Sequence, residues 1–368
     1  MNPTQQLHDL GQSIWLDNIT RGILDDGTLA KYIAEQNVTG LTSNPSIFDK
    51  AISGGSDYND AISELLAQGK SGEDLFFELA LQDLRRAADL FKPAFHASDG
   101  KDGFVSLEVS PLLADDTDGS IESAMALHGK ARRDNLFIKI PGTPSGIPAI
   151  EEAIHRGIPV NVTLLFSREQ TLAAGEAWMR GIERRISEGL DPNVDSVVSL
   201  FVSRWDVAVA DKVPVELKDR LGIAISQRTW KAWCELRESP RWEKLVAAGA
   251  HPQRLLWAST GTKDPNASDT LYVEALAAPD TINTMPEETL LAFADHGKLG
   301  GSLANDGDDC EKVIAQFNAA GIDDAALAGR LQHEGAEKFV KSWNDLLGKI
   351  DQKTAKLETM ATGRGARA

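Results

Sequence analysis

The residue with the greatest chemical potential in this sequence is Lys139, within Leu136-Phe137-Ile138-Lys139-Ile140-Pro141-Gly142. Strand alternation puts Leu136, Ile138 and Ile140 on one face of this run and Phe137 and Lys139 on the other. A lysine amine is a nucleophile only when neutral, and removal from water favours the neutral form. It then adds to a ketone to give a carbinolamine and an imine, an electron sink that lets a neighbouring C–C bond break. Dehydration and cleavage both need proton shuttles, and Glu108 and Asp17 are the carboxylates at hand. The plainer reading has Lys139 simply neutralising Glu108. The two readings overlap, because a catalytic lysine also benefits from a nearby acid.

The neighbours of these residues repeat one pattern. Glu108 shares a face with Phe104, Ser106 and Ser110, opposite Val105, Leu107 and Val109. Asp17 sits with Trp15, opposite Ile14 and Leu16. Asn161 and Thr163 oppose Val160, Val162 and Leu164, and Ser199 and Phe201 oppose Val198, Leu200 and Val202. Each strand thus has one apolar face and one that carries a polar group near its carboxyl end. In a barrel the apolar face meets the helices and the other enters the lumen, whose carboxyl end holds the chemistry. Any one such residue is ordinarily a satisfied polar group at a strand end. A Lys, a Glu and an Asp converging there would cost several kcal/mol unless paired, so together they ask for a function.

The elements that must position them follow from periodicity. Strands are expected at Ser13–Asp17, Val38–Thr42, Phe104–Val109, Leu136–Ile140, Pro159–Leu164, Ser196–Phe201, Leu255–Ser259 and Thr281–Asn283. Helices fit Thr28–Gln36, Ser120–Arg133, Arg168–Ser187 and Val215–Arg237, and Phe76, Ala80, Leu84, Ala87 and Phe91 form one helical face. Eight strands separated by helices predict an α/β fold, a (β/α)8 TIM barrel with additional C-terminal helices. A doubly wound sheet is the alternative, but no Gly-rich dinucleotide turn follows any strand. The extra length follows the last strand, where Asp323–Ile350 reads as a long helix with the stripe Phe339, Trp343, Leu346, Leu347, Ile350. A single barrel domain over residues 1–350, then a polar, frayed tail at 351–368, is the expected organisation.

Composition narrows the function. The 368 residues carry 38 Lys and Arg against 55 Asp and Glu, a formal net charge of −17. Nucleic acid and anionic membranes need clustered cations, so neither is an expected partner; a small phosphorylated substrate needs only a few. No apolar run approaches the ~20 residues that span a bilayer, and the polar start has no signal-peptide core, so a cytoplasmic home is expected. Cys234 and Cys310 are too few for a disulfide scaffold. There is no P-loop, and the scattered histidines have no i, i+4 pair, so no metal site is expected. Asp115-Asp116-Thr117-Asp118-Gly119 lacks Ca²⁺-loop spacing and reads as a turn whose acids favour the next helix's amino end. Trp230 and Trp233 read as helix-packing core.

Several segments occur together and in order: Trp15-Leu16-Asp17, Thr42-Ser43-Asn44-Pro45-Ser46, Leu107-Glu108-Val109-Ser110-Pro111 and Ile138-Lys139-Ile140-Pro141. They continue with Asn161-Val162-Thr163-Leu164-Leu165-Phe166-Ser167, Ser199-Leu200-Phe201-Val202-Ser203-Arg204 and Lys338-Phe339. In combination, from about residue 12 to 350, they resemble the transaldolase family. The resemblance implies transfer of a dihydroxyacetone unit from sedoheptulose 7-phosphate to glyceraldehyde 3-phosphate in the pentose phosphate pathway, with no metal or organic cofactor. Carried over residue by residue, Lys139 becomes the Schiff-base lysine and Glu108 the acid/base acting through a water held by Thr163. Asp17 becomes the base for C–C cleavage. Asn44, Asn161 and Ser199 would hold substrate hydroxyls, Phe201 would wall the pocket, and Arg204 would bind phosphate.

One departure stands out. Shorter members of the family place a second arginine after the penultimate strand, where this chain has Ser259-Thr260-Gly261-Thr262-Lys263. Ser259 and Lys263 are therefore the expected contacts there, with Lys263 supplying a point charge in place of a bidentate fork. Small phosphorylated sugars are the expected partners, in a monomer or homodimer. A fructose 6-phosphate aldolase-like enzyme, whose members tend to lack the acid at Glu108, is one alternative. A non-catalytic sugar-phosphate sensor, binding without a covalent adduct, is another.

Overall fold

Eight short parallel strands close on themselves in the computed structural model, which describes residues 2–365, with side chains as far as 359. They are β1 (Ser13–Leu16), β2 (Val38–Leu41), β3 (Val105–Glu108), β4 (Leu136–Pro141), β5 (Val160–Leu165), β6 (Ser196–Phe201), β7 (Arg254–Ala258) and β8 (Ile282–Met285). Each pairs with the next in chain order, and β8 returns to β1 through Ser13↔Ile282 and Leu16↔Met285. Helices intervene at every step, as expected for a (β/α)8 barrel.

The strand faces sort into two apolar layers. Ile14, Leu16, Val105, Leu107, Ile138, Ile140, Val160 and Val162 face the surrounding helices. Trp15, Phe104, Phe137, Val197, Leu256 and Ile282 fill the lumen. Phe104 and Phe137 stack there with ring centroids 4.1 Å apart, and the Trp15 indole donates to Asp102 Oδ1 at 2.8 Å. This apolar plug occupies the amino-terminal part of the lumen and separates the polar groups at that end, Asp102 among them, from those at the carboxyl end. Gly40 makes room for it: a methyl group there would lie 2.6 Å from the Phe104 carbonyl oxygen and 2.7 Å from the Trp15 ring.

Four local expectations are revised. Leu164 does not continue the outward face of β5; it takes a left-handed φ of 57° at a register shift and packs against Gly335 of the closing helix. The helix expected over Val215–Arg237 is split into a 3-10 turn, Val215–Leu217, and a helix, Leu221–Arg237. Asp219 (φ 56°) turns the chain between them, and the Asp206 carboxylate caps the second helix by accepting from the Leu221 and Gly222 N–H groups. β8 extends two residues beyond Asn283, to Met285. The closing helix does not end near 350 but runs from Asp324 to Gly365. Lys353 helps to hold its later turns, donating to the Ile52 and Gly55 carbonyls at 2.8 and 2.6 Å. The last residues of the expected tail, 366–368, lie outside the described residues.

Other readings hold locally. Asp116 caps the helix Thr117–Ala131 by accepting from the Gly119 N–H. Trp230 and Trp233 are buried among helices, with Trp233 edge-on to Trp242. In the closing helix Phe339, Trp343, Leu346 and Ile350 are buried, and Trp343 meets Phe76 edge-to-face at 4.9 Å. The same helix crosses the carboxyl end of the barrel. There Gln332 Nε2 donates to Gly142 O and Leu164 O at 3.0 and 2.9 Å, and Ser46 Oγ donates to Ser342 Oγ at 2.9 Å. No helix among the described residues is long and apolar enough to cross a membrane.

Candidate active site

The parallel register sets Glu108 beside Lys139 and Lys139 beside Asn161 on three successive strands. Lys139 is only 5 % exposed; its Nζ lies 3.4 Å from Glu108 Oε2 and donates to Ser43 O at 3.3 Å. It faces a cavity of about 230 Å3 at the carboxyl end of the barrel. Of the residues expected from sequence, Asp17, Asn44, Thr163, Ser199, Phe201, Arg204, Ser259 and Lys263 line that cavity with it. Glu108 and Asn161 do not; both are buried in the lumen. Asn161 accepts from Ser199 Oγ at 2.7 Å and donates to Ser106 Oγ at 3.1 Å, so both ends of its amide are committed to neighbouring strands.

Each side chain owes its aim to a local device. Asn44 is the N-cap of helix Pro45–Ser53, and its Oδ1 accepts from the Ile47 N–H at 3.1 Å. This assigns its amide NH2 as the group free to donate elsewhere. Ser259 has a left-handed φ of 58°, and its hydroxyl lies 2.9 Å from that of Ser203. Asp17 accepts from Thr42 Oγ1 at 2.7 Å. Arg204 rests its guanidinium over Phe201 at 4.8 Å and near Phe339 at 5.8 Å, and its Nη1 has no hydrogen-bond partner among the described residues. The nearby Asp206 takes no part, since it is occupied by two backbone N–H groups and by Tyr272 OH at 2.8 Å.

Burial dominates the acid groups. It pushes the Glu108 carboxyl above its ordinary value against the pull of Lys139. Asp17 is raised for the same reason, opposed by Lys139, the Thr42 hydrogen bond, Arg204 and Lys263. Such carboxyls can hold a proton nearer neutrality and release it again, as acid/base catalysis requires. Three cations, Lys139, Arg204 and Lys263, face two carboxylates, so this corner can attract an anion although the whole chain is strongly acidic. Glu108 Oε1 and Thr163 Oγ1 lack hydrogen-bond partners among the described residues, Glu108 Oε2 meets Lys139 Nζ alone, and these oxygens can bind substrate or water.

The cavity also has residues that strand reading did not single out: Thr42, Ser46, Thr284, Pro286 and Phe339 among them. Thr42 directly follows β2 as Asp17 directly follows β1, a positional signal visible in sequence. Thr284 fell outside an expected strand drawn two residues short. Phe339 belonged to a helical stripe, and nothing in such a stripe tells a core residue from one that roofs a site. A larger cavity, about 420 Å3, opens at the opposite end of the barrel, near Ser13, Asp102, His251 and Arg254. Its polar groups are largely tied to one another: Arg254 donates to Lys101 O, Thr281 O and Ser13 Oγ, and His251 contacts Asp195 at 2.8 Å. A buried lysine beside buried acids is found at the smaller cavity.

Comparison with known proteins finds relatives along nearly the whole chain. The family model described as Transaldolase/Fructose-6-phosphate aldolase matches residues 14–350. A transaldolase of Arthrobacter sp. (strain FB24) is 45% identical over 95% of this chain and 96% of its own length. Those of Thermobifida fusca (strain YX) and Thiobacillus denitrificans are 43% and 42% identical, over 96% and 95% of this chain and 99% and 100% of theirs. A match that runs from β1 into the closing helix, with relatives more than 40% identical over nearly the whole chain, means that this chain belongs to the transaldolase/fructose-6-phosphate aldolase family.

Proposed function

We propose that this chain is a transaldolase, transferring a dihydroxyacetone unit from sedoheptulose 7-phosphate to glyceraldehyde 3-phosphate through an imine on Lys139. The observation that carries the reading is Lys139 itself: an amine almost wholly withdrawn from water, 3.4 Å from Glu108 and facing the same cavity as Asp17. Its Nζ adds to the ketose carbonyl carbon to form a carbinolamine. Glu108 gives a proton to the departing hydroxyl, water leaves, and a protonated imine remains. Asp17 takes the proton of the C4 hydroxyl as the C3–C4 bond breaks. The electron pair moves to the imine nitrogen, giving an enamine and erythrose 4-phosphate. The enamine carbon then attacks glyceraldehyde 3-phosphate, Asp17 returns its proton to the new hydroxyl, and water releases fructose 6-phosphate from Lys139.

Thr163 and Glu108, with unpartnered oxygens among the described residues, support a water relay between them. Asn44 and Ser199 suit substrate hydroxyls, Phe201 walls the cavity, and Arg204 with Lys263 suits phosphate. Asn161 acts best as the group that orients Ser199, to which it is already bonded. Borohydride reduction with fructose 6-phosphate present tests the core of this reading. Mass spectrometry is expected to find a reduced adduct on Lys139, with activity lost in step. An adduct on another lysine, or none in active enzyme, would overturn it, and release of free dihydroxyacetone in place of transfer would assign aldolase chemistry.

A further inference from the structure

The Asp17 carboxylate does not stand alone above β1. Thr42 Oγ1 donates to its Oδ1 at 2.7 Å, and Thr284 Oγ1 lies 2.6 Å from Thr42 Oγ1. Thr42 and Thr284 are 2 % and 3 % exposed, and both line the cavity. A hydroxyl has one proton to give. When Asp17 is ionised it can only accept, so the proton of Thr42 must point to Asp17. The short contact between the two hydroxyls then leaves one arrangement, in which Thr284 donates to Thr42. The chain runs Thr284 to Thr42 to Asp17, from β8 through the end of β2 to the end of β1, with every proton directed at the carboxylate.

We propose that Thr284 is a positioning residue for the transfer reaction, orienting the Thr42 hydroxyl on Asp17 and so holding that carboxylate ready to take the substrate's hydroxyl proton. The inference rests on the role of Asp17 in the function proposed above. Hydrogen bonds in such a chain polarise one another, so the second donor strengthens the first. The chain is also reversible. Once Asp17 has taken a proton it can donate to Thr42, Thr42 to Thr284, and the Thr284 hydroxyl turns toward the cavity. Thr284 is held in place independently of Asp17, by β-pairing to Trp15 and by the Thr260 hydroxyl on its carbonyl at 3.1 Å.

Removing the Thr284 hydroxyl should raise the pH at which Asp17 loses its proton. The other charged groups facing Asp17 are Lys139 on β4, Arg204 after β6 and Lys263 after β7, with Glu108 on β3 as the like charge. All are kept in Thr284→Val, a substitution close in shape. The expected result is a fall in kcat of about 2- to 12-fold, the equivalent of one neutral hydrogen bond, with little change in KM. The acid limb of the kcat profile should move to higher pH. Thr284→Ser should restore both. In a Thr42→Val background, Thr284→Val should add nothing, because the relay is already cut.

An unmoved pH profile in Thr284→Val, additive losses in the double variant, or a serine variant as impaired as the valine would each overturn the role of Thr284. Borohydride trapping separates this from the wider reading. If Lys139 forms the adduct in both wild type and Thr284→Val while the profile stays unmoved, only the relay fails. If wild type itself forms no adduct, the imine mechanism fails with it. Should the valine variant not fold, Thr284→Ala removes the same hydroxyl with a smaller side chain and is read in its place: a shifted acid limb supports the relay and an unmoved one overturns it.

Discussion

Replacing Arg204 by alanine tests how this acidic chain holds an anionic substrate. Its guanidinium lies over Phe201, and its Nη1 has no hydrogen-bond partner among the described residues. The neighbouring acid, Asp206, is bonded elsewhere, so the substitution would orphan no surface ion pair. A charge-assisted hydrogen bond contributes about 1.5–3 kcal/mol, which is about 10- to 150-fold in kcat/KM. An exposed ion pair contributes under ~1 kcal/mol, so the two roles are separable by size alone. Arg204 also stabilises the ionised forms of Asp17 and Glu108, but it stands behind Lys139 in both cases. The loss should therefore fall on the phosphate rather than on proton transfer. The assay compares kcat/KM for fructose 6-phosphate and for fructose, as donors to the same acceptor aldehyde. Arg204→Ala should lose the stated factor with the first and change little with the second, while Arg204→Lys, which keeps charge without the fork, should lie between. Equal losses with both donors would refute the reasoning and make Lys263 the principal phosphate contact.

Glu108→Gln keeps shape but removes proton transfer; turnover should slow by about 10²–10⁴-fold while donor binding persists, and wild-type turnover would reduce Glu108 to a partner of Lys139. Asp206 titrates at about 6 in the fold against an ordinary 3.8, raised by burial. The fold thus binds this proton more tightly than the unfolded chain, so the stabilisation is complete below pH ~4 and is lost as pH rises through ~6, by ~3 kcal/mol. Urea unfolding at several pH values should show that Asp206→Asn removes this fall; an unchanged pH dependence would count against it. Gln332→Leu leaves the Gly142 and Leu164 carbonyls without their side-chain donor and should cost about 1–3 kcal/mol, measured by thermal unfolding. If stability and kcat both hold, Gln332 is not a clamp on the ends of β4 and β5.

The barrel was legible because strand alternation is strict where two apolar layers must be filled. Val105, Leu107 and Val109 face outward and Phe104 inward, as their order requires. Lys139 and Glu108 were legible for the same reason, since a charge on an inward face has few harmless explanations. Legibility failed where backbone geometry departs from the repeat. The left-handed turn at Leu164 aims a side chain that alternation alone would leave on the helix-facing side at Gly335 of the closing helix. It also failed at Thr284, whose strand is recognised by its pairing with β1 and β7 rather than by a hydrophobic run of its own. Asn161 shows a third limit. Its place on the inward face was clear, but whether an amide meets substrate or its neighbours depends on Ser106 and Ser199, which come from other strands.

The closing helix ties catalysis to the order in which the chain is made. A ribosome delivers the amino-terminal part first, and structure begins to form as it emerges. All eight strands have been delivered by Met285, and Lys139 precedes by 200 residues the Phe339 ring that lies 5.9 Å from its amine. The contacts that seat the roof join distant stretches, such as Ser46 with Ser342 and Ile52 with Lys353. Contacts so far apart in sequence are slow to form. The Lys139 amine therefore gains the Phe339 ring beside it only after the last of these residues has been delivered. A chain stopped short of that helix would carry Lys139, Glu108 and Asp17 and lack the Phe339 ring that lines their cavity.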